Sequence, residues 1–164
     1  MSRSHSRKSW REKLADNKDL PKIFDTAQHG LSKRWGGGMC VIPRPRDVDA
    51  LMRRVPRGRL TTINHLREAL ARQHETQMAC PITTGIFAWI AAHAAAEAQE
   101  SGMKRVTPYW RTLKLGGEVN ARYPGGVPEQ RRLLMAEGHR VLRRGKRWVV
   151  ADYEARVVTP RPRP

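Results

Sequence analysis

Apolar positions in the middle of the chain fall into helical spacing before anything else is legible. Val48, Leu51, Met52 and Val55 recur at i, i+3, i+4 and i+7 behind Asp47 as an N-cap, and Pro56 with Gly58 ends the run. Thr61-Thr62 offers hydroxyl caps to a second helix with Ile63, Leu66, Ala69 and Leu70 on one face, fading near His74. After a loop holding Cys80-Pro81, an Ala-rich run from Thr83 or Thr84 to about Glu100 predicts the longest helix, with Ile86, Phe87, Ile90 and Ala94 inside and Ser101-Gly102 as its stop. Arg105 to Lys114 has strand character, Gly116-Gly117 is a turn, and Tyr123-Pro124-Gly125-Gly126 is a loop before a helix opened by Pro128 and closed by Gly138. Arg140–Leu142 and Trp148–Ala151 flank Arg144-Gly145-Lys146 as a basic-tipped hairpin.

The ends read differently. Up to about Arg34 the chain is polar and basic, with isolated apolar residues at Trp10, Leu14, Leu20, Ile23, Phe24 and Leu31, so it is expected to be a flexible arm in which residues 10–14 form at most a short docking turn. Gly36-Gly37-Gly38 marks a hinge, Met39–Ile42 an extended segment, and the final Thr-Pro-Arg-Pro-Arg-Pro a solvated tail. The expected division is a basic arm over 1–38, a DNA-binding domain over 39–156 and a Pro/Arg tail over 157–164. Two helices joined by a loop, followed by strand, helix and hairpin, predict an α+β domain of winged helix-turn-helix type with a small C-terminal hairpin.

Charge sharpens this. The 164 residues carry 32 Lys plus Arg against 15 Asp plus Glu, a net +17. Such an excess calls for a polyanionic partner, nucleic acid first and an anionic membrane surface second. No stretch reaches the roughly 20 apolar residues of a spanning helix, and the basic start is not followed by an apolar run, so a secreted or membrane-spanning protein is not expected. Two cysteines make no disulfide scaffold, and a reducing, cytoplasmic, nucleoid-associated setting is the expectation. Arg53, Arg54, Arg57 and Arg59 crowd seven positions without an acid, and residues 131–147 are similarly one-signed apart from Glu137. Arg57, Arg59, Arg143, Arg144 and Lys146 are therefore expected to meet phosphates, setting affinity and not sequence choice.

Little else promises chemistry. The six histidines stand at no recurrent ligand spacing, so no metal site is expected and no cofactor is implied. Cys40 and Cys80 read as packing residues, and the Gly-rich pieces lack the Lys-Ser/Thr of a phosphate-binding loop.

Separate blocks between about residues 42 and 139 do form a pattern. Val55-Pro56-Arg57-Gly58-Arg59-Leu60-Thr61-Thr62, then Pro108-Tyr109-Trp110-Arg111, Gly116-Gly117, Tyr123-Pro124-Gly125-Gly126 and Leu133-Leu134-Met135-Ala136-Glu137-Gly138 follow in order. Together these resemble the catalytic, DNA-binding domain of the alkylguanine-DNA alkyltransferases and their non-catalytic relatives, the alkyltransferase-like proteins. In that family a Pro-Cys-His-Arg tetrapeptide carries the nucleophile, activated by the His and a Glu. Here Tyr109 and Trp110 stand for Cys and His, leaving Glu137, and a phenol with no base beside it is a poor nucleophile. The resemblance thus implies a non-enzymatic protein that binds duplex DNA, senses alkylated guanine and flags it to a repair partner. It also implies a lesion pocket of Tyr109, Trp110, Arg111, Tyr123 and Glu137, with an aromatic available to stack on an extruded base.

Two departures bear on flipping. The family's first-helix Tyr corresponds to Ile63, and its Arg finger has no counterpart in Pro81–Phe87, leaving Thr83, Thr84 or an apolar residue to enter the duplex. Thr61 and Thr62 complete the expected DNA-contacting set. The alternative is a general nucleic-acid or chromosome-associated binder without lesion recognition.

Overall fold

The computed structural model describes residues 6–162; the Ser-Arg-rich start over 1–5 and the last two residues of the tail lie outside the described residues. The chain forms a mixed α+β domain. Helix α1 (Trp10–Ala15), strand β1 (Lys22–Asp25), short helix α2 (Ser32–Trp35) and strand β2 (Met39–Ile42) lead into α3 (Pro45–Arg53). Strand β3 (Thr61–Thr62), α4 (Ile63–Gln73), β4 (Met78–Ala79) and the 20-residue α5 (Pro81–Glu100) follow. Strand β5 (Thr112–Leu113), α6 (Gly126–Ala136), β6 (Val141–Arg144) and β7 (Arg147–Val150) complete it.

The stretch expected to be a flexible arm is built into the domain from residue 9 onward. Ser9 and Glu12 form a reciprocal capping box, with Ser9 Oγ accepting from the Glu12 amide at 3.1 Å and the Glu12 carboxylate accepting from the Ser9 amide at 2.8 Å. Glu97 of α5 then accepts from the Trp10 amide at 3.0 Å and the Arg11 amide at 3.3 Å. Trp10 lies edge-on to Trp89 (4.7 Å between centroids) and stacks on His93 (4.4 Å). Further on, β1 pairs antiparallel with β2, from Lys22 opposite Ile42 to Asp25 opposite Met39, and β4 joins β2 in parallel.

The main core lies between α3, α4 and α5, filled by Val48, Leu51, Met52, Leu66, Leu70 and the alanines of α5. Thr62 caps α4 as expected, accepting from the His65 amide at 3.3 Å. Pro45, however, opens α3 one turn earlier than the sequence implied, so Asp47 sits inside the first turn, where it accepts from the Arg44 amide at 3.2 Å. On α5 the buried face is Thr84, Ala88, Ala91, Ala92, Ala94, Ala95 and Ala98; of the residues expected inside, Ala94 is buried and Phe87 packs half-buried against the core, Ile90 is half-buried, and Ile86 is 44% exposed. Small side chains face the neighbouring helices because α3 and α4 approach from that side with their larger residues.

Only Thr112–Leu113 of the expected 105–114 strand is β structure, and it pairs in parallel with β3. Tyr109–Arg111 is instead a 3₁₀ turn, closed by the Arg111 amide on the Pro108 carbonyl at 3.1 Å. A second core cluster, Leu60, Leu113, Val119, Leu134, Val141 and Val150, joins this region to the β6–β7 hairpin, which turns at Gly145-Lys146 as expected. Gly125 adopts φ +77° immediately before α6, and a Cβ there would meet the Glu129 side chain at 2.5 Å, so this loop position requires glycine. The start of the tail is not free: Val157 bridges Leu60, the Val158 amide donates to the Leu60 carbonyl at 2.8 Å, and Pro160 is buried.

Candidate nucleic-acid interface

The residues expected to line a lesion pocket are brought together, but as a closed polar knot beneath the surface. Glu137, at the C-terminal end of α6, has a side chain only 4% exposed. Its Oε1 accepts from the Trp110 indole at 3.0 Å and from Arg111 Nη2 at 2.6 Å, and Arg111 Nε reaches both carboxylate oxygens at 3.0 Å. Arg111 Nη1 also donates to the Val55 carbonyl at 2.7 Å, tying the 3₁₀ turn to the loop after α3. Burial pushes the Glu137 carboxyl up, but Arg111, the Trp110 indole and the Gly58 amide outweigh it and hold the group below its ordinary range. Gln130, fully buried, fixes the other side by donating to the Trp110 carbonyl at 3.3 Å and accepting from the Asn120 amide at 2.8 Å.

Tyr109 and Tyr123 are each 2% exposed and meet edge-on at 5.7 Å, while Tyr109 and Trp110 meet edge-on at 5.4 Å. Burial, with a smaller push from Glu129, raises the Tyr109 phenol to about 12. Tyr123 is pushed up further for the same reason. Both rings are core residues in this arrangement and present no open face to a base.

The threonines expected at DNA also turn inward. Thr61, Thr62 and Thr84 are buried; the Thr62 hydroxyl is taken by the cap and by His65 Nδ1 at 2.6 Å, and Thr84 Oγ1 donates to the Cys80 carbonyl at 2.7 Å. The Thr83 hydroxyl is likewise buried, without a partner among the described residues. Strand β3 and the first turn of α5 claim these hydroxyls for capping and packing. Cys40 and Cys80 are buried too, and burial pushes the Cys40 thiol up to about 11.

An open groove lies beside the knot. It encloses about 700 Å³ and is lined by Ile63 at the start of α4, by Ile82, Gly85, Ile86 and Trp89 along α5, and by Lys114, Asn120, Ala121 and Arg122 opposite. Ile82 in the first turn of α5 is 56% exposed. The loop wall is held at both ends: the Trp89 indole donates to the Arg122 carbonyl at 3.2 Å, His93 Nε2 donates to the same carbonyl at 3.1 Å, and Asn120 is fixed by Gln130. The hairpin hangs from this wall, since the Val119 amide donates to the Trp148 carbonyl at 2.9 Å. One wall is therefore apolar and the other carries exposed cations, with the hairpin attached behind.

The sequence reading missed this set because it placed Ile86 in the core. The signal was present: Ile82, Ile86 and Trp89 stand at i, i+4 and i+7, a stripe separate from the alanine face. A helix that packs through alanines leaves its large apolar residues for another use.

The basic residues expected at phosphates lie on the surface. Arg59, Arg143, Arg144 and Lys146 are exposed. Arg57 is exposed as well, although its guanidinium also donates to the Ala136 carbonyl at the end of α6, at 3.2 Å. Trp148 organises the hairpin base, with Arg131 4.0 Å and Arg143 6.0 Å from its ring centre.

Fold and surface together define a basic α+β domain with a helix pair, a hairpin and an apolar groove along the second helix. No family model matches the chain, and no curated protein matches it. Among solved structures the chain is similar to S. pombe Atl1, crystallised in complex with damaged DNA containing O6-carboxymethylguanine, with 15% identity, a TM-score of 0.47, and coverage of 71% of this chain and 94% of that one.

Proposed function

We propose that this protein binds duplex DNA without altering it, and that the α5 groove receives an alkylated guanine displaced from the stack. The observation that carries this reading is the groove itself: an apolar wall of Ile63, Ile82, Ile86 and Trp89 facing exposed Lys114 and Arg122 on a protein of net charge +17. A nucleobase is a flat, largely apolar body on a phosphate chain, and such a wall-and-cation arrangement meets both parts. The order of sequence blocks shared with the alkyltransferase-like proteins supports the same reading.

Non-catalysis rests on the knot. The carboxylate that would serve a Cys-His relay is occupied by Arg111 and Trp110, and the residue at the nucleophile position is a buried phenol raised to about 12. Ile82 takes the role of wedge. It is apolar and 56% exposed at the start of α5, and apolar side chains of this kind unstack base steps in other DNA-bending proteins. The exposed Arg59, Arg143, Arg144 and Lys146 hold the backbone.

The test is Ile82→Ala in duplex binding with and without one O6-alkylguanine. The variant should lose the preference for the lesion and keep affinity for plain duplex within about threefold. Preference unchanged in Ile82→Ala would remove the wedge from the account. Equal affinity of the parent protein for both duplexes would leave the general nucleic-acid binder, a reading that the one-signed surface also satisfies.

A further inference from the structure

The helix face that walls the groove continues past the groove's end. Ile82, Ile86 and Trp89 are followed on the same face of α5 by His93 and Glu97, at i+11 and i+15 from Ile82. The N-terminal part of this face is open and forms the groove, whereas α1 covers the C-terminal part. Trp89 stands at the seam, lining the groove and meeting Trp10 of α1 edge-on at 4.7 Å.

Three aromatic rings meet at this seam. Trp10 stacks on His93 with 4.4 Å between centroids and 23° between planes, and Trp89 meets His93 edge-on at 5.4 Å. Trp89 and His93 both donate to one acceptor across the groove, the Arg122 carbonyl, the indole at 3.2 Å and the imidazole Nε2 at 3.1 Å. A carbonyl oxygen has two lone pairs, so these two donors use both and tie the backbone of the loop wall to α5. Ala121 and Arg122 are exposed, so little packing holds this part of the loop in place of those bonds. Trp10 is itself anchored: Glu97 accepts from its amide and from that of Arg11, and the Lys13 ammonium lies 4.2 Å over its ring.

We propose that Trp10 is a positioning residue of the groove: by bracing Trp89 and His93 it fixes Arg122, and with it the gap in which a displaced base is held. The inference rests on the groove reading above. Rotation of either α5 side chain breaks a bond to the Arg122 carbonyl, and contact with the Trp10 ring restricts both rotations. A base gains from both walls only while their separation matches it, so recognition depends on support behind the walls. Phosphate contacts at Arg143, Arg144 and Lys146 make no such demand. Lesion preference and plain-duplex affinity therefore part company when the brace is removed. The brace also comes from outside residues 42–139, the stretch that carries the sequence resemblance, so the selectivity of the groove is set in part by the N-terminal segment.

The experiment has two arms, both on the full chain and well below its melting transition. The first is amide exchange in the free protein at Arg122, Tyr123 and Gly126, whose amides donate to Asn120 Oδ1 at 3.0 Å, the Asn120 carbonyl at 3.2 Å and the Tyr123 carbonyl at 2.9 Å. Trp10→Ala should speed exchange there about tenfold and leave the β6–β7 amides unchanged. The second is duplex binding with guanine or O6-methylguanine at one position, where Trp10→Ala should cut the preference for the lesion about fivefold and keep plain-duplex affinity within about twofold. His93→Phe keeps a ring under Trp10 but gives up the bond to Arg122; it should reproduce both effects with exchange over residues 10–15 unchanged, which separates positioning from the mere attachment of α1. Trp10→Phe should restore most of the preference. Unchanged exchange at Arg122, Tyr123 and Gly126 in Trp10→Ala would overturn the brace whether or not the parent protein prefers the lesion. Faster exchange with an unchanged preference would overturn its part in recognition. A parent protein with no preference refutes the groove reading instead, and the exchange arm then decides the brace alone.

Discussion

Removing the carboxylate of Glu137 probes the buried knot that it forms with Trp110 and Arg111. Its side chain is 4% exposed and that of Arg111 13%, so Glu137→Ala strands a guanidinium largely out of water with one remaining acceptor, the Val55 carbonyl. Breaking a buried pair from one side costs about 3–5 kcal/mol, and the surviving carbonyl bond places this case near about 3 kcal/mol. For a chain of this size each kcal/mol lowers Tm by about 2–4 °C, so a drop of about 6–12 °C is expected. Glu137→Gln keeps the shape and an acceptor but gives up the charge, and should lose roughly half as much. Urea denaturation with an unchanged m-value is the assay. Arg111→Met combined with Glu137→Leu should cost clearly less than the two single changes added together, because no charge is then left unpaired. A loss below about 1 kcal/mol in Glu137→Ala, or strict additivity in the cycle, would refute the buried pair. The pH dependence has a definite sign. Because the folded carboxyl sits below its ordinary 4.5, its contribution is complete above that pH and is lost as pH falls through the lower folded value; Glu137→Gln removes that acid-side slope.

Further outcomes follow from other parts of the molecule. Tyr109, raised to about 12, and Tyr123, pushed up further, both ionise in the unfolded chain first, so stability should fall as pH rises from about 10 to about 12, and the fall should be smaller in Tyr109→Phe, read by melting in alkaline buffers. Replacing Arg143, Arg144 and Lys146 together by Ala should flatten the log–log salt dependence of duplex affinity by about 0.9 for each phosphate no longer neutralised, with the melting temperature unchanged within about 2 °C. Trp10→Ala should detach α1 from α5 at a cost of about 2 kcal/mol, visible as faster amide exchange over residues 10–15, since the indole is only half-buried but bridges Trp89 and His93.

The helical core was legible from spacing alone, because Val48-Leu51-Met52 and Leu66-Ala69-Leu70 can bury one face only as helices. The hairpin was marked by its Gly145 turn for a similar reason. The N-terminal segment was misread because sparse apolar residues in a basic stretch look unable to fold, yet Ser9 and Glu12 spell a capping box and Glu97, nearly ninety residues away, receives the helix start. No local pattern shows such a partner. The cluster was legible only through the resemblance, which implied a grouping of Tyr109, Trp110, Arg111, Tyr123 and Glu137, whereas the packing of α6 against the 3₁₀ turn shows that their polar groups face one another. Along α5 an alanine face and an isoleucine-tryptophan face are both apolar, so periodicity did not say which one meets solvent.

Duplex binding by fluorescence anisotropy, with guanine or O6-alkylguanine at one position, at two salt concentrations and followed by mass spectrometry of protein and DNA, tests the proposed function most directly. The account predicts tighter binding to the alkylated duplex at both salts, with every mass unchanged. Equal affinities that collapse together with salt would contradict lesion recognition, and an alkyl mass gained by the protein would contradict the absence of catalysis.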